Sequence, residues 1–396
     1  MIKVACFGFA FYRIARLVND TPDIRMDVYV HAKDYEIFKS EILEGANWVH
    51  PIGSEIRKLR NLRKGKFWKT QGVSADLYLL SDDAPLFAYP QRNVKTVFLP
   101  IGFDLTVQPF PSIATKNSKT AILKLKRFVI AILQNKRIRT MDRIWASPFP
   151  VLAQSLAKIR KDVTLEKFLP FPINYQAHTR SIEFHSSPDL LSNFEDRFLV
   201  FFPGRIMITK SETDLLTGQT KGVEEALRGF LKFQETACTN ALLLLVDQPF
   251  SPDKEEFIKL VNILEAEDLV VWIKSTTPGN RLTNSEMASI YQRCDVILGD
   301  FGSGWFGQTA LEAAAHGKPF ISYMDPEFMF EHFGFNPFAL ARTPDEISQK
   351  LIELFVSSEQ RQLKGLEMRK WYKDFLSEDV VRRWYQNEIR KAVTSE

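Results

Sequence analysis

Short apolar runs, each closed by turn residues, alternate along this 396-residue chain with longer segments whose apolar positions recur at helical spacing. A continuous apolar run suits a strand covered on both faces, and its regular alternation with helices predicts βαβ units on parallel sheets. In the first half the pattern predicts strands over Ile2–Phe7, Met26–Val30, Asp76–Leu80, Val94–Leu99, Arg143–Ala146 and Leu165–Leu169. In the second half it predicts them over Phe198–Phe202, Ala241–Val246, Leu269–Ile273, Val296–Leu298 and Phe320–Tyr323. The polar stretch Asn174–Asp196, with Ser186, Ser187 and Pro188 and no period, is the expected linker. After Tyr323 the chain turns helical, over Pro344–Phe355, Glu359–Tyr372 and a last amphipathic helix N-capped by Ser377, with Val381, Trp384, Tyr385 and Ile389 on one face. No segment of 20–50 residues repeats, which argues against a solenoid. The expected fold is α/β: two doubly wound, Rossmann-like parallel-sheet domains facing a cleft, over 1–180 and 181–375. A terminal helix over 376–396 completes it, with the N-terminal domain as its candidate partner.

Composition agrees with a globular chain: 45% of residues are apolar and 25% charged. No apolar run reaches the ~18–20 residues that span a bilayer. The opening MIKVACFGF lacks the basic start and long apolar middle of a signal peptide, so a cytoplasmic location is expected. Three scattered cysteines, Cys6, Cys238 and Cys294, suit neither a disulfide framework nor a metal cluster and read as small core side chains.

Chemistry concentrates in Asp295–Ser322, DVILGDFGSGWFGQTALEAAAHGKPFIS. An apolar strand ends at Gly299, a loop carries Gly302, Gly304 and Gly307, and a helix runs Gln308–His316 to a Gly317 cap and Pro319. A glycine-rich turn from strand to helix presents backbone N–H groups and the positive end of the helix dipole, an anion site in outline. The loop spells G-x-G-x-x-G, with Asp325 near the distance expected of a ribose-binding acid, but that dinucleotide fingerprint belongs to the first βα turn of its domain. The first strand here, MIKVACFGFAFYR, offers only Gly8. A second cluster follows the strand FLVFF: Pro203, Gly204 and Arg205, a polar insertion, then Lys221 and Gly222 leading into VEEALRGFLKF. Arg205 and Lys221 are two cations at the sheet edge that also carries the glycine loop, suited together to a diphosphate. Each alone also fits a carbonyl cap or a solvated helix start.

These segments, in order, resemble the donor domain of the retaining nucleotide-sugar glycosyltransferases of the GT-B fold, family 4 type. The resemblance implies transfer of a sugar from a nucleotide-diphosphate sugar to a glycan or lipid-linked acceptor with retention of configuration. It gives the catalytic cations as Arg205 and Lys221 and the ribose contact as Glu312 of LEAAAHGKP. Donor contacts fall on Gly302, Gly304, Trp305, Phe306, Gly307 and Gln308, with Gly8 in a turn near the phosphates. VFLPIGFDL resembles the segment that carries a catalytic or acceptor-contacting polar residue; Asp104 stands there, and a turn-capping role suits it equally. Two departures are visible. The family pairs its ribose glutamate with another eight residues earlier, where this chain has Gly304 and Asp300 is the nearby acid. Lys210 keeps the family spacing from Arg205, whereas Lys221 keeps the Lys-Gly context, so both remain candidates. His316 reads as a C-terminal helix cap.

The resembled chemistry needs no cofactor beyond the donor itself. No carboxylate pair with metal spacing stands out in the loops, and metal independence is expected. Other readings are a GT-B epimerase or phosphorylase, or a non-catalytic nucleotide-binding module. The basic half lacks a helix-turn-helix or zinc finger, which argues against nucleic acid.

The net charge of +4 divides into about +14 over residues 1–180 and −10 over the remainder. Two basic stretches, Ile56–Lys69 with Phe67 and Trp68, and Lys116–Arg139, interleave Lys and Arg with apolar residues. On a helix, Ile122, Leu125, Val129, Ile132 and Leu133 form a stripe. That stripe suits an interfacial membrane helix, or an ordinary domain helix with the stripe in the core. The expected partner is an anionic membrane surface met by the N-terminal domain.

Overall fold

The computed structural model describes residues 1–396 apart from 9, 40–41, 43–45, 54–72, 88–93, 116–119, 164, 166–168, 180–189, 209–220, 238–239, 249–250, 252, 277–280, 303, 305 and 395–396. The chain forms two compact units, Met1–Phe171 with Glu378–Glu396, and Pro172–Ser377. The division falls at Phe171, a few residues ahead of the expected boundary at 180 and before the polar stretch taken for a linker. Within that stretch the described residues include a helix, Tyr175–Thr179, belonging to the second unit.

The first unit holds a six-stranded parallel sheet in the order β3-β2-β1-β4-β5-β6, with β1 Ile2–Phe7, β2 Ile24–His31, β3 Val49–Ile52, β4 Leu77–Leu80, β5 Lys95–Phe98 and β6 Arg143–Ile144. β3 has no counterpart in the sequence reading: four residues with Pro51 in the middle carry no apolar run, and β2 supplies their register, Val28 opposite Val49. Leu165–Leu169 is not a strand at its two described residues. Leu169 instead donates its N–H to the Ser147 hydroxyl at 3.1 Å, just past β6. The helix Glu378–Thr394 completes this unit, burying Val381, Tyr385 and Ile389 while Arg390 pairs with Asp23.

The second unit has its own six-stranded parallel sheet, β12-β11-β10-β7-β8-β9, with β7 Phe198–Phe202, β8 Ala241–Val246, β9 Val270–Ile273, β10 Val296–Leu298, β11 Phe320–Ser322 and β12 Ala339–Leu340. Every residue of β7 and β8 is buried, as central parallel strands with both faces covered require. One face packs Phe198, Val200 and Phe202 against Ala226, Leu227, Phe230 and Phe233 of the helix Val223–Ala237, with Ile347 and Leu351 behind. β12 was invisible beforehand because two residues show no periodicity; its pairing with β11 makes it a strand.

Cys6 and Cys294 are buried, and burial raises both thiols well above their ordinary range, which keeps them protonated core side chains.

Candidate functional site

In a doubly wound sheet ligands bind beyond the carboxyl ends of the two strands where the winding reverses. In the second unit those strands are β7 and β10. β7 runs out into Pro203, Gly204 and Arg205, and β10 into Gly299, Asp300, Phe301 and Gly302. The topology therefore brings the two sequence clusters to one place, although about ninety residues separate them.

At that place Lys221 Nζ lies 2.7 Å from Asp300 Oδ2, and Asp300 Oδ1 accepts the Gly302 N–H at 2.8 Å. Phe301 donates its N–H to the Lys221 carbonyl at 3.2 Å. The lysine is thus fastened to the glycine loop by both backbone and side chain. Asp300 is itself held from below: its N–H meets the Ser322 hydroxyl at 3.2 Å, and its carbonyl accepts from Ser322 Oγ at 2.8 Å and from the Tyr323 N–H at 2.9 Å. The Asp300 side chain is 7% exposed and that of Lys221 is 23% exposed, so the acid is interior and the ammonium faces outward. Asp300 thus orients the lysine, one carboxylate oxygen on the ammonium and the other on the Gly302 N–H. Lys210 lies outside the described residues. Arg205 is exposed at the end of β7 and makes no side-chain hydrogen bond to the described residues, which removes the carbonyl-capping alternative among them.

The loop explains why no glutamate stands at 304. Gly304 has φ +71°, a left-handed conformation that side chains rarely adopt, and a Cβ there would sit 3.0 Å from Cε1 of Tyr323. The Tyr323 ring fills the space, and the Arg342 guanidinium lies 4.4 Å from its centroid. Arg342, exposed just after β12, is a cation beside the loop that carries no motif in the sequence.

Gly307 caps the helix Gln308–His316, with no described residue within 4 Å of the position a Cβ would take, so among the described residues this helix start is open. Two of the expected donor contacts, Phe306 and Gln308, have partners within the protein. Phe306 is buried, its ring 4.9 Å edge-on to Trp371 and close to Phe333 and Phe338, which makes it core. Gln308 donates its side-chain amide to the Pro172 carbonyl at 3.3 Å and so ties the helix start to the beginning of this unit. Trp305 is outside the described residues. Asp325, the acid of the dinucleotide reading, is the N-cap of the helix Pro326–Phe333, accepting from the Glu327 N–H.

Glu312 is one turn into the helix and buried; the Tyr291 hydroxyl faces it while donating to the Thr309 carbonyl at 3.5 Å, and His178 Nε2 lies 3.7 Å from Oε1. His316 is no cationic cap. Burial, then Lys318 and Arg369, pushes its pKa down to about 3, and its ring turns to His178 while Arg369 bonds its carbonyl.

In the first unit the reversal lies between β1 and β4. Gly8 follows β1 with φ +123°, and a Cβ would fall 2.3 Å from Ser81 Oγ, so only glycine lets the two strand ends approach. Asp104 is 1% exposed, its carboxylate accepting N–H bonds from Asp82 at 2.9 Å and from Ile101 and Gly102 at 3.0 Å each. Through these bonds the carboxyl clamps the loop after β4 to the loop after β5, which is the turn-capping role. Burial and, second, Asp82 raise its pKa to about 8 against the lowering effect of those N–H bonds.

No family model matches the chain, and no curated protein matches it in sequence. Solved structures do match along essentially its whole length. Sucrose-phosphate synthase from Thermosynechococcus elongatus superposes with a TM-score of 0.68 at 12% identity, over 99% of both chains. Anabaena HepE, solved with UDP and glucose, gives 0.64 at 13% identity over 99% of this chain and 100% of that one. WaaG, a glycosyltransferase of lipopolysaccharide biosynthesis, gives 0.59 at 13% over 100% of both. The fold is GT-B. Two doubly wound parallel sheets and a closing C-terminal helix are its parts, and all are present here. At these identities the likeness establishes the GT-B fold alone; chemistry has to be argued from the site.

Proposed function

We propose that this GT-B protein is a retaining glycosyltransferase that moves a sugar from a nucleoside diphosphate sugar to a glycan or lipid-linked acceptor. The observation that carries the reading is the Lys221–Asp300 pair fastened to the glycine loop at the reversal of the second sheet, beside an open helix start and the exposed Arg205. A leaving diphosphate gains negative charge as the glycosidic bond breaks. Fixed cations and N–H groups that meet this charge lower the barrier, and one such donor typically contributes ~10²–10³ in rate. Retention suits this machinery, because a diphosphate held this way can take the acceptor's proton on the face of attack without a strong protein base. The charges needed come from side chains and amides, so the proposed reaction runs without a metal. A donor nucleotide in the uridine class is supported by HepE, whose structures hold UDP and UDP-glucose.

The acceptor side rests on the helix Ala121–Arg139 of the first unit. Its buried residues are Ala131, Gln134 and Ile138, whereas Ile122 is 84% and Leu125 65% exposed, with Phe128 and Ile132 nearly half exposed. The apolar stripe therefore faces outward, not into the core, and Lys124, Lys126, Lys136 and Arg139 are exposed around it. An outward apolar stripe with basic flanks suits the interface of an anionic membrane. Among the described residues no helix is long and apolar enough to cross one. We take the protein to work at the cytoplasmic membrane face, as a peripheral enzyme on a lipid-linked acceptor. The stretch Ile56–Lys69 lies outside the described residues.

A thermal-shift panel of UDP, GDP, ADP, CMP and NAD tests the donor reading. A nucleoside diphosphate at ~100 times its dissociation constant stabilises by ~2.7 kcal/mol. A shift with NAD alone, or with none of the diphosphates, refutes it.

A further inference from the structure

Glu312 sits at one corner of a buried polar cluster drawn from three helices of the second unit. Asn284–Arg293 contributes Tyr291, Tyr175–Thr179 contributes His178, and Gln308–His316 contributes Glu312 and His316, four apart and so on one face. His178 Nδ1 is 3.0 Å from His316 Nε2, and its Nε2 is 3.7 Å from Glu312 Oε1. The Tyr291 hydroxyl faces Glu312 and donates to the Thr309 carbonyl at 3.5 Å, and its ring lies parallel to His316 at 5.6 Å and edge-on to His178 at 5.9 Å. His178 is 3% exposed and Tyr291 fully buried.

The partners fix where the protons are. His316 is neutral and carries a single N–H. The nitrogen of His178 that faces a carboxylate has to be its N–H side, since two acceptors would repel. His178 Nδ1 then accepts from His316 Nε2–H. The imidazole N–H groups therefore point in one direction, His316 donating to His178 and the His178 Nε2–H facing the Glu312 carboxylate at 3.7 Å, with the Tyr291 hydroxyl facing it from another side. A carboxylate on a helix otherwise has several rotamers; here a buried imidazole N–H and a buried phenol facing it from two sides narrow the choice. His178 lies 134 residues before Glu312 in sequence, and Tyr175 on the same short helix donates its hydroxyl to the Leu376 carbonyl at 2.7 Å, so the cluster is braced against the end of this unit as well.

We infer that Tyr291 and His178 are positioning residues that hold the Glu312 carboxylate in the orientation in which it accepts the donor's ribose hydroxyls. The inference rests on the proposed donor site and deepens it. It separates Glu312, which touches the ligand, from two residues that act through it.

The test compares UDP with 2′,3′-dideoxy-UDP by calorimetry. The ratio of their affinities reports the hydroxyl contact and cancels losses common to both. Wild type should favour UDP by at least tenfold, and Glu312→Gln should reduce that preference to within about threefold, as loss of a charged acceptor would. Tyr291→Phe, which preserves shape and folding, should cut the preference about three- to tenfold. His178→Asn, which keeps a polar group toward His316 only, should do likewise, whereas His178→Gln, which restores an N–H at the reach of Nε2, should recover it. Thermal midpoints recorded on each variant give the folded fraction. If Tyr291→Phe and His178→Asn weaken both ligands equally, or weaken neither, the positioning role is overturned while the donor site stands. If wild type shows no preference for UDP, or Glu312→Gln keeps it, the ribose role of Glu312 fails and takes this inference with it.

Discussion

Lys221 has two consequences that one substitution confounds and a second separates. Lys221→Ala removes the ammonium 2.7 Å from Asp300, whose carboxylate is 7% exposed and also accepts the Gly302 N–H. Breaking a buried pair on one side costs about 3–5 kcal/mol, and because the Lys221 side chain is 23% exposed, solvent screening reduces this to about 2–3 kcal/mol. In a unit of this size each kcal/mol moves the midpoint by about 2–4 °C, so calorimetry should show a fall of roughly 5–10 °C. UDP release from UDP-glucose should drop at least tenfold, since the lysine meets charge that grows in the transition state. The double variant Lys221→Ala/Asp300→Asn then decides. A neutral amide tolerates the burial, so most of the lost midpoint should return while turnover stays low. Recovery of turnover together with stability would show that the lysine only neutralises Asp300, and would refute the diphosphate role.

Arg205→Ala should leave the midpoint within 1–2 °C, since surface substitutions away from packed features change stability by only about 0.5 kcal/mol, and lower turnover about tenfold or more; unchanged turnover would remove Arg205 from the site. Asp104 makes a pH prediction. Its folded-state pKa, raised to about 8 from an ordinary 3.8, gives a contribution fully present below pH 4 and lost as pH rises through 8, at up to about 1.4 kcal/mol per pH unit. Urea midpoints should therefore decline from pH 5 to pH 8 less steeply in Asp104→Asn than in wild type, and parallel profiles would contradict the raised pKa. For the helix Ala121–Arg139, Leu125→Ser/Phe128→Ser should weaken co-sedimentation with anionic vesicles without lowering the thermal midpoint, because both side chains are exposed, at 65% and 45%. Wild-type binding should also fall at high salt. No binding, or binding indifferent to lipid charge, would favour a soluble acceptor.

The sequence by itself determined the architecture wherever burial is local. Runs such as Phe198–Phe202 and Ala241–Val246 are apolar at every position because both faces of a central parallel strand are covered, and Gln308–His316 announced itself through a glycine loop before it and Gly317 after it. Strands made by their neighbours, Val49–Ile52 and Ala339–Leu340, left no such mark. The site divided in the same way. Glycine spacing pointed to an anion site near residues 302–307, since such a site would use backbone N–H groups, which chain order places. Which side chains join them was decided in three dimensions. Asp300 faces Lys221 across the strand reversal, Tyr323 occupies the space over Gly304, Phe306 turns into an aromatic core, and His178 reaches His316 and Glu312 from over a hundred residues away. Local periodicity reports only whether a residue is inside or outside. Partners at such separations are set by the winding order of the sheet, which brings the ends of β7 and β10 together.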